Sequence, residues 1–261
     1  MLESTLLIED VDPLPDNQVG LAVLGSPIEH SISPQIHGSA LKELSIVDPQ
    51  FLNWNYVKIQ VESSDLASAL PHLAKCGYLG LNLTIPHKVD VLPLLESVDE
   101  EARNIGAVNT LFYDCAKWNG FNSDGYGLEK ALDQSLDISL NSAKVLILGA
   151  GGAARAAAAQ ALSRQCNQIW MANRSLSRLK ILEGKLGETF DLSGFSTFEL
   201  SKIPAELFKV EDLVIINATS LGLNKSDPQP ISLSDFHSTT KVYDMIYNPA
   251  RTGLLAEAVN L

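Results

Sequence analysis

The stretch "KVLILGAGGAARAAAAQALSR" (144–164) decides the fold, because it moves from an apolar run through a glycine turn into an alanine-rich segment. This order predicts a buried strand, a tight turn and a helix. The turn, "GAGGAA" (149–154), matches G-x-G-x-x-G/A, the pattern that lets a backbone approach a pyrophosphate at a helix N-terminus. The predicted strand and helix give the motif the context it requires. The stretch therefore predicts a Rossmann-type dinucleotide site. Its expected cofactor-binding residues are Gly149, Gly151, Gly152 and Ala153, with Ala154 packing the helix on the strand.

The next predicted strand, "QIWMANRS" (168–175), indicates which dinucleotide binds. An NAD site normally has an acidic residue about twenty positions after the glycine motif, where it accepts from the ribose hydroxyls. This chain has Asn173, Arg174 and Ser175 there, followed by Arg178. Guanidinium groups suit a 2′-phosphate because their charge is fixed and their donors form a planar fork. The pattern favours NADP(H), and the alternative is that both arginines are ordinary surface residues at a helix start.

The N-terminal half shows the same alternation of predicted strands and helices. "LAVLG" (21–25) and "NWNYVKIQV" (53–61) are predicted strands, and "SPQIHGSALKEL" (33–44) has helical spacing. This alternation is typical of an α/β fold with mostly parallel sheets covered on both faces. We expect a two-domain chain: an N-terminal α/β substrate domain (1–123) and a Rossmann-type domain with a parallel sheet (124–249). Residues 250–261 are expected to pack back on the first domain.

A third motif, "GLNLTIPHK" (80–88), carries polar residues along an apolar run. On a strand, Asn82 and Thr84 would share one face, while Leu81, Leu83 and Ile85 would share the other. Pro86 would end the strand and leave Lys88 just past its tip, where open α/β sheets place binding groups. The alternative is a half-buried strand followed by a solvated lysine.

Composition narrows the class of protein further. The chain has 261 residues and a formal net charge of −12, with no long basic run, so we expect neither nucleic-acid nor membrane binding. Three widely spaced cysteines and the lack of paired histidines predict no disulfide framework and no metal site. The acidic, proline-containing start lacks the features of a signal peptide, and no apolar run is long enough to span a membrane. We therefore expect a cytoplasmic protein.

Taken together, these motifs resemble the shikimate dehydrogenase family. The resemblance is carried by eight segments in family order: "GSPIEHSISPQIH" (25–37), "NLTIPHK" (82–88), "GAVNT" (106–110), "NGFNSDGYG" (119–127), "GAGGAARA" (149–156), "ANRSLSR" (172–178), "INATSLG" (216–222) and "YDMIYNP" (243–249). The family reduces 3-dehydroshikimate to shikimate with NADPH, in aromatic amino acid biosynthesis. The resemblance implies a substrate domain, a Rossmann domain and an active site in the cleft between them.

The resemblance also implies roles for individual residues. Ser31 and Ser33 would bind the substrate carboxylate. Thr84, Lys88, Asn109 and Asp124 would hold the ring hydroxyls and the reacting oxygen, with Lys88 and Asp124 as the catalytic pair. Tyr247 would also face the substrate, and Asn82 would lie nearby on the cofactor side. Ser31 and Asp124 could instead be helix caps, and Tyr247 could be a packed aromatic at a strand end.

Family members usually continue beyond "TGLLAEA" into a helix whose glutamine contacts the substrate, whereas this sequence ends at "TGLLAEAVNL". The resemblance therefore implies weakened substrate binding and reduced activity. Two other functions stay open: a quinate or dual quinate/shikimate dehydrogenase, and a dinucleotide-binding protein with little catalysis. Family analogy allows a monomer or a homodimer.

Overall fold

The computed structural model describes residues 5–260. The chain divides into two compact units, Met1–Asn122 and Ser123–Leu261. Each unit has its own sheet and its own hydrophobic core. The α/β class and the two-part organisation agree with the sequence analysis.

The first unit is built on a seven-stranded sheet with the order β1-β3-β2-β4-β6-β7-β5. Its helices and strands are β1 (Leu6–Leu7), β2 (Val19–Gly25), α1 (Ser33–Val47), β3 (Trp54–Gln60), α2 (Leu66–Lys75), β4 (Tyr78–Leu83), α3 (His87–Asp90), β5 (Ser97–Val98), α4 (Glu100–Ile105), β6 (Thr110–Asp114) and β7 (Lys117–Phe121). Strands β1 to β4 pair in parallel, but β6 is antiparallel to both β4 and β7. The sheet is therefore mixed.

The two faces of this sheet are buried differently. One face forms the main core, in which Leu24, Ile59 and Leu81 are almost completely buried. The opposite face carries a smaller cluster that includes Val23 and Tyr56. Alternation along each strand explains this division, since neighbouring residues point to opposite faces. The predicted apolar face of β4 is correct for Leu81 and Leu83 but wrong for Ile85, which lies beyond the strand and is 55% exposed.

The second unit contains a fully parallel five-stranded sheet with the order β10-β9-β8-β11-β12. Its elements are α5 (Asp124–Leu136), β8 (Lys144–Leu148), α6 (Gly152–Ser163), β9 (Gln168–Asn173), α7 (Leu176–Gly187), β10 (Phe195–Glu199), β11 (Leu213–Asn217), β12 (Lys241–Asp244) and α8 (Gly253–Asn260). The chain runs from β8 outward to β10 and then resumes at β11 on the other side of β8. The carboxyl end of β8 is therefore the topological switch point, where such sheets bind ligands.

The alanines of α6 allow this helix to pack closely. Six of them are at most 3% exposed: Ala154, Ala156, Ala157, Ala158, Ala159 and Ala161. Helix α5 approaches α6 at Gly125, where a Cβ atom would lie 2.9 Å from Oε1 of Gln160. Small side chains thus set the spacing of the helices beside the nucleotide turn.

The C-terminal helix α8 differs from the sequence expectation. Residues 250–261 were expected to pack on the first domain. Instead, Leu254 is 1% exposed in a core cluster with Leu146 and Ile215 of the second sheet. Parallel strands β8 and β11 leave an apolar surface that needs covering, and α8 supplies part of that cover.

Candidate functional site

The segment after β2 brings the two predicted carboxylate-binding serines together. Oγ of Ser31 donates a hydrogen bond to Oγ of Ser33 at 3.1 Å and accepts one from the Ser33 backbone N–H at 3.3 Å. Ser33 is the first residue of α1, and both serines are half-buried. The N-cap of α1 is Ile32, and it makes no side-chain cap bond, so Ser31 is not the helix cap that the sequence left open.

Thr84 lies directly after β4 and is held against the end of β2. Its backbone N–H donates to the carbonyl of Leu24 at 3.0 Å. A Cβ atom on Gly25 would lie only 2.5 Å from Cγ2 of Thr84. Glycine at position 25 therefore gives Thr84 the room to sit at this edge of the sheet.

Backbone hydrogen bonds also join the segments that carry Lys88 and Asn109. The Val108 N–H donates to the carbonyl of Lys88 at 2.7 Å, and the Leu83 N–H donates to the carbonyl of Asn109 at 2.8 Å. Lys88 lies on the short helix α3 and is half-buried, whereas Asn109 is 8% exposed. The structure thus places Thr84, Lys88 and Asn109 on connected segments at one end of the sheet.

A chain of side-chain hydrogen bonds joins residues on β3, β4 and β6 and ends on Asn109. Tyr56 on β3 donates through its hydroxyl to Oδ1 of Asn82 at 2.7 Å. Nδ2 of Asn82 donates to Oγ1 of Thr110 at 3.2 Å, and that hydroxyl donates to Oδ1 of Asn109 at 2.8 Å. Because each group is both donor and acceptor, the chain fixes the orientation of the Asn109 amide.

His87, next to Lys88, is fully buried. Its Nε2 lies 2.7 Å from the carbonyl of Val61, while its Nδ1 has no hydrogen-bond partner among residues 5–260. Burial lowers the pKa of His87, and the Val61 carbonyl opposes that shift. The ring is therefore a neutral donor to Val61, and it anchors α3.

Asp124 begins α5 at the start of the second unit. The predicted cap role of Asp124 is not what the structure shows, because the N-cap is Ser123 and it makes no side-chain cap bond. The preceding residue, Asn122, is 6% exposed and donates through Nδ2 to the carbonyl of Ala107 at 2.9 Å.

Tyr247 follows β12 and is 55% exposed, so it is not a packed strand-end aromatic. The nearby carboxylate of Asp244 organises this turn. It accepts from Nδ2 of Asn217 at 3.0 Å, from the Ile246 N–H at 3.0 Å and from Oγ1 of Thr252 at 2.7 Å. Tyr247 is thus presented by a rigid turn beside the carboxyl ends of β11 and β12.

The glycine motif forms a tight turn at the start of α6. Gly149 has φ of +119°, and a Cβ there would lie 2.8 Å from the carbonyl oxygen of Ala218. Gly151 is the N-cap of α6, and a Cβ added to it would meet no atom within 4 Å. The backbone at Gly151 is therefore open at the N-terminus of α6, beside the topological switch point.

The predicted phosphate-binding residues cluster where β9 meets α7. Nδ2 of Asn173 donates to the carbonyl of Ser175 at 3.1 Å, and Ser175 is the N-cap of α7, accepting from the Arg178 N–H. Arg174 and Arg178 are exposed, and neither forms a salt bridge with another residue of the described chain. Two uncommitted guanidiniums without a carboxylate fit NADP(H) better than NAD(H).

Comparisons with known proteins find matches in both units of the chain. Residues 23–111 match the model of the shikimate dehydrogenase substrate-binding domain, and residues 130–223 match that of shikimate / quinate 5-dehydrogenase. The NADP⁺ shikimate dehydrogenase of Geobacter metallireducens is 36% identical over 239 residues, which cover 91% of this chain and 81% of that protein. This chain belongs to the shikimate dehydrogenase family.

Solved structures of the shikimate dehydrogenase family share this fold. The enzyme of Aquifex aeolicus has a TM-score of 0.80 at 28% identity, covering 95% of this chain and 85% of that one. The Thermus thermophilus enzyme, solved in complex with NADP(H) and shikimate, has a TM-score of 0.77 at 30% identity, with coverages of 93% and 84%. Family membership explains why the serine pair, the β4 motif and the glycine turn occur in one chain.

Sequence reasoning missed several residues that support the site. Tyr56, Thr110, Asn122 and Asp244 make the contacts described above but were given no role. Thr110, Asn122 and Asp244 lie inside the segments that carry the family resemblance, whereas Tyr56 lies outside them. A signal for Tyr56 was available, since it alternates with Lys58 on one face of a predicted strand. Among residues 5–260, no group of acidic, histidine or cysteine side chains could hold a metal, and no helix is long and apolar enough to cross a membrane.

Proposed function

We propose that this chain is an NADP-dependent shikimate dehydrogenase, which reversibly reduces 3-dehydroshikimate to shikimate in aromatic amino acid biosynthesis. The observation that carries the proposal is the presence of the family's polar motifs within a family match that spans nine-tenths of the chain. The structural relatives that bind NADP(H) and shikimate support the same substrate and cofactor.

The first unit supplies most of the proposed substrate-binding groups. The hydroxyls of Ser31 and Ser33 lie 3.1 Å apart and both donate to the carboxylate, the Ser31 hydroxyl by turning from Ser33 to the bound anion. Thr84 and Asn109 bind ring hydroxyls, with the Asn109 amide oriented by Thr110. In the second unit, exposed Tyr247 contributes a further hydroxyl.

Lys88 and Asp124 carry the proposed acid–base chemistry. Bound NADPH supplies the hydride for ketone reduction. The ammonium of Lys88 stabilises the negative charge that develops on the substrate oxygen and donates a proton to it. In the reverse reaction, the neutral amine accepts the proton from the alcohol. The Asp124 carboxylate accepts a hydrogen bond from a substrate hydroxyl.

The second unit holds the proposed cofactor. Backbone N–H groups of Gly151, Gly152 and Ala153 bind the pyrophosphate, since they lie at the start of α6. Arg174, Ser175 and Arg178 bind the 2′-phosphate, and Asn173 holds the turn that presents them.

We propose residues 1–123 as the substrate domain and 124–249 as the nucleotide domain. The division into Met1–Asn122 and Ser123–Leu261 supports this assignment for the boundary near residue 123. A cytoplasmic location is also proposed, supported by Cys76, Cys115 and Cys166, which are all free thiols. The proposed assembly is a monomer or a homodimer.

The substitution Lys88→Met tests the proposed chemistry. It keeps the length of the side chain but removes the proton donor, so kcat with 3-dehydroshikimate and NADPH should fall at least about a hundredfold. The dissociation constant of NADP⁺, measured by fluorescence titration, should stay within about twofold. Lys75→Met removes an equal charge from an exposed position of α2 and serves as the control. A Lys88→Met variant with undiminished kcat would contradict the assignment.

A further inference from the structure

Lys58 is a buried charged residue that has no role in the function proposed above. It lies on β3 and is only 3% exposed. Its Nζ donates to the backbone carbonyl of Glu29 at 2.9 Å. No carboxylate of the described residues lies within salt-bridge distance of it. Buried lysines are normally paired with an acid, because an uncompensated charge is unfavourable in a poorly solvated place.

The position of Lys58 links it to the loop between β2 and α1. Lys58 pairs in register with Val23, two residues before β2 ends at Gly25. It shares a face of β3 with Tyr56, whose ring stacks on His37 of α1 at a centroid distance of 4.1 Å. The ammonium therefore lies on the side of the sheet that α1 covers and reaches the loop that leads into this helix.

This loop carries the serine pair. Ser31 lies two residues after Glu29, and its N–H donates to the carbonyl of Ile28 at 3.0 Å. The Lys58 bond to Glu29 thus fixes the backbone immediately before Ser31. The two serine hydroxyls can donate hydrogen bonds to a carboxylate, but they are neutral. A substrate carboxylate bound there gains no opposite charge from the serines themselves.

We propose that Lys58 is a positioning and specificity-determining residue for the substrate carboxylate. It holds the loop of Ser31 through the Glu29 carbonyl, and it supplies the positive charge that the serines lack. Charges interact more strongly where water is excluded, so a buried ammonium acts on a nearby anion without touching it. A bound carboxylate in turn gives Lys58 the counter-charge that the protein does not provide. This inference rests on the proposed function, because it takes the serine pair as the carboxylate site.

The test compares Lys58→Met, Lys58→Arg and the wild-type chain with two substrates, shikimate and its uncharged methyl ester. For Lys58→Met, the KM for shikimate should rise about tenfold, as expected for a lost interaction with a charged group, with a smaller effect on kcat. The KM for the ester should change less than about threefold. Lys58→Arg keeps the charge and should discriminate between acid and ester as the wild type does. Lys42→Met, at an exposed position of α1, controls for the change in net charge.

The outcomes separate a charge effect from a structural one. Equal increases in KM for the acid and the ester would show that Lys58 only supports the fold, and this would overturn the proposal, as would an unchanged KM for shikimate. Calorimetric titration with shikimate provides a readout without turnover. A wild-type chain that binds shikimate without oxidising it would overturn the proposed reaction, while a roughly tenfold weaker affinity of Lys58→Met would still support the role of Lys58. A wild-type chain that binds no shikimate would overturn both.

Discussion

Replacing Thr110 by valine breaks the hydrogen-bond chain at its last step before Asn109. The Thr110 hydroxyl accepts from Nδ2 of Asn82 at 3.2 Å and donates to Oδ1 of Asn109 at 2.8 Å. Valine has nearly the same shape, so the packing of β6 is retained while both hydrogen bonds are lost. The substitution therefore isolates the polar contribution of this residue.

The expected effect on stability follows from those two bonds. Each neutral hydrogen bond contributes about 1 kcal/mol net, so the free energy of unfolding should fall by about 2 kcal/mol. The bond to Asn109 also orients an amide that we propose binds the substrate. A loss of about 1.4 kcal/mol in transition-state binding corresponds to a tenfold fall in kcat/KM for shikimate, and we expect an effect of this size.

Urea unfolding followed by circular dichroism measures the first effect, and initial rates of NADP⁺ reduction with shikimate measure the second. Thr110→Ser keeps the hydroxyl and should retain most of the catalytic efficiency, although it loses a methyl group. The reasoning is refuted if Thr110→Val keeps kcat/KM within about twofold of the wild type, because the amide would then be oriented by other contacts.

Three further predictions concern the nucleotide turn, the phosphate site and His87. In Gly149→Ala, the Cβ would meet the Ala218 carbonyl at 2.8 Å in a backbone with φ of +119°. NADP⁺ affinity in a fluorescence titration should therefore fall at least about tenfold, and an unchanged affinity would count against the motif's role. Replacing Arg174 and Arg178 by serine should raise the KM for NADP⁺ about tenfold or more while leaving the KM for NAD⁺ within about twofold, and equal changes for both nucleotides would argue against a 2′-phosphate site. Burial lowers the pKa of His87, so the folded state favours the neutral ring. The contribution of His87 to the free energy of unfolding is therefore complete above the unfolded pKa of about 6.5, and it is lost as the pH falls below that value toward the folded pKa. Urea unfolding between about pH 8 and pH 5 should show this loss, and His87→Gln should reduce the slope; the same slope in both proteins would exclude His87 as its source.

The parts of the fold that sequence predicts best are those with strong local patterns. The apolar run of β8, the glycine turn and the alanines of α6 specify a strand, a turn and a helix through short-range effects, and the structure has them. The antiparallel pairing of β6 with β7 is different, because it depends on a turn through Cys115 and Ala116, both with positive φ. Neither residue type favours that conformation, so the sequence gives little sign of the turn.

The candidate site also contains residues that the sequence predicts and residues that it does not. Lys88 stands out from its position after a predicted strand, whereas Ser31 and Ser33 are assigned only through the resemblance to the family. Tyr56 on β3 reaches Asn82 on β4 across the intervening strand β2, and Thr110 on β6 contacts Asn82 on neighbouring β4. Strand order is a long-range property that one sequence does not reveal. The sequence alone likewise does not distinguish Lys58 from an ordinary strand lysine. Its burial and its hydrogen bond to Glu29 are visible only in the structure.

The most direct test of the central claim is the absorbance of reduced nicotinamide when the purified 261-residue chain is given shikimate or quinate with NADP⁺ or NAD⁺. The account predicts reduction with shikimate and NADP⁺, and much slower reduction in the other three combinations. Faster reduction with quinate would identify a quinate dehydrogenase instead. No reduction in any combination, by a chain that still binds NADP⁺, would contradict the proposed enzyme activity.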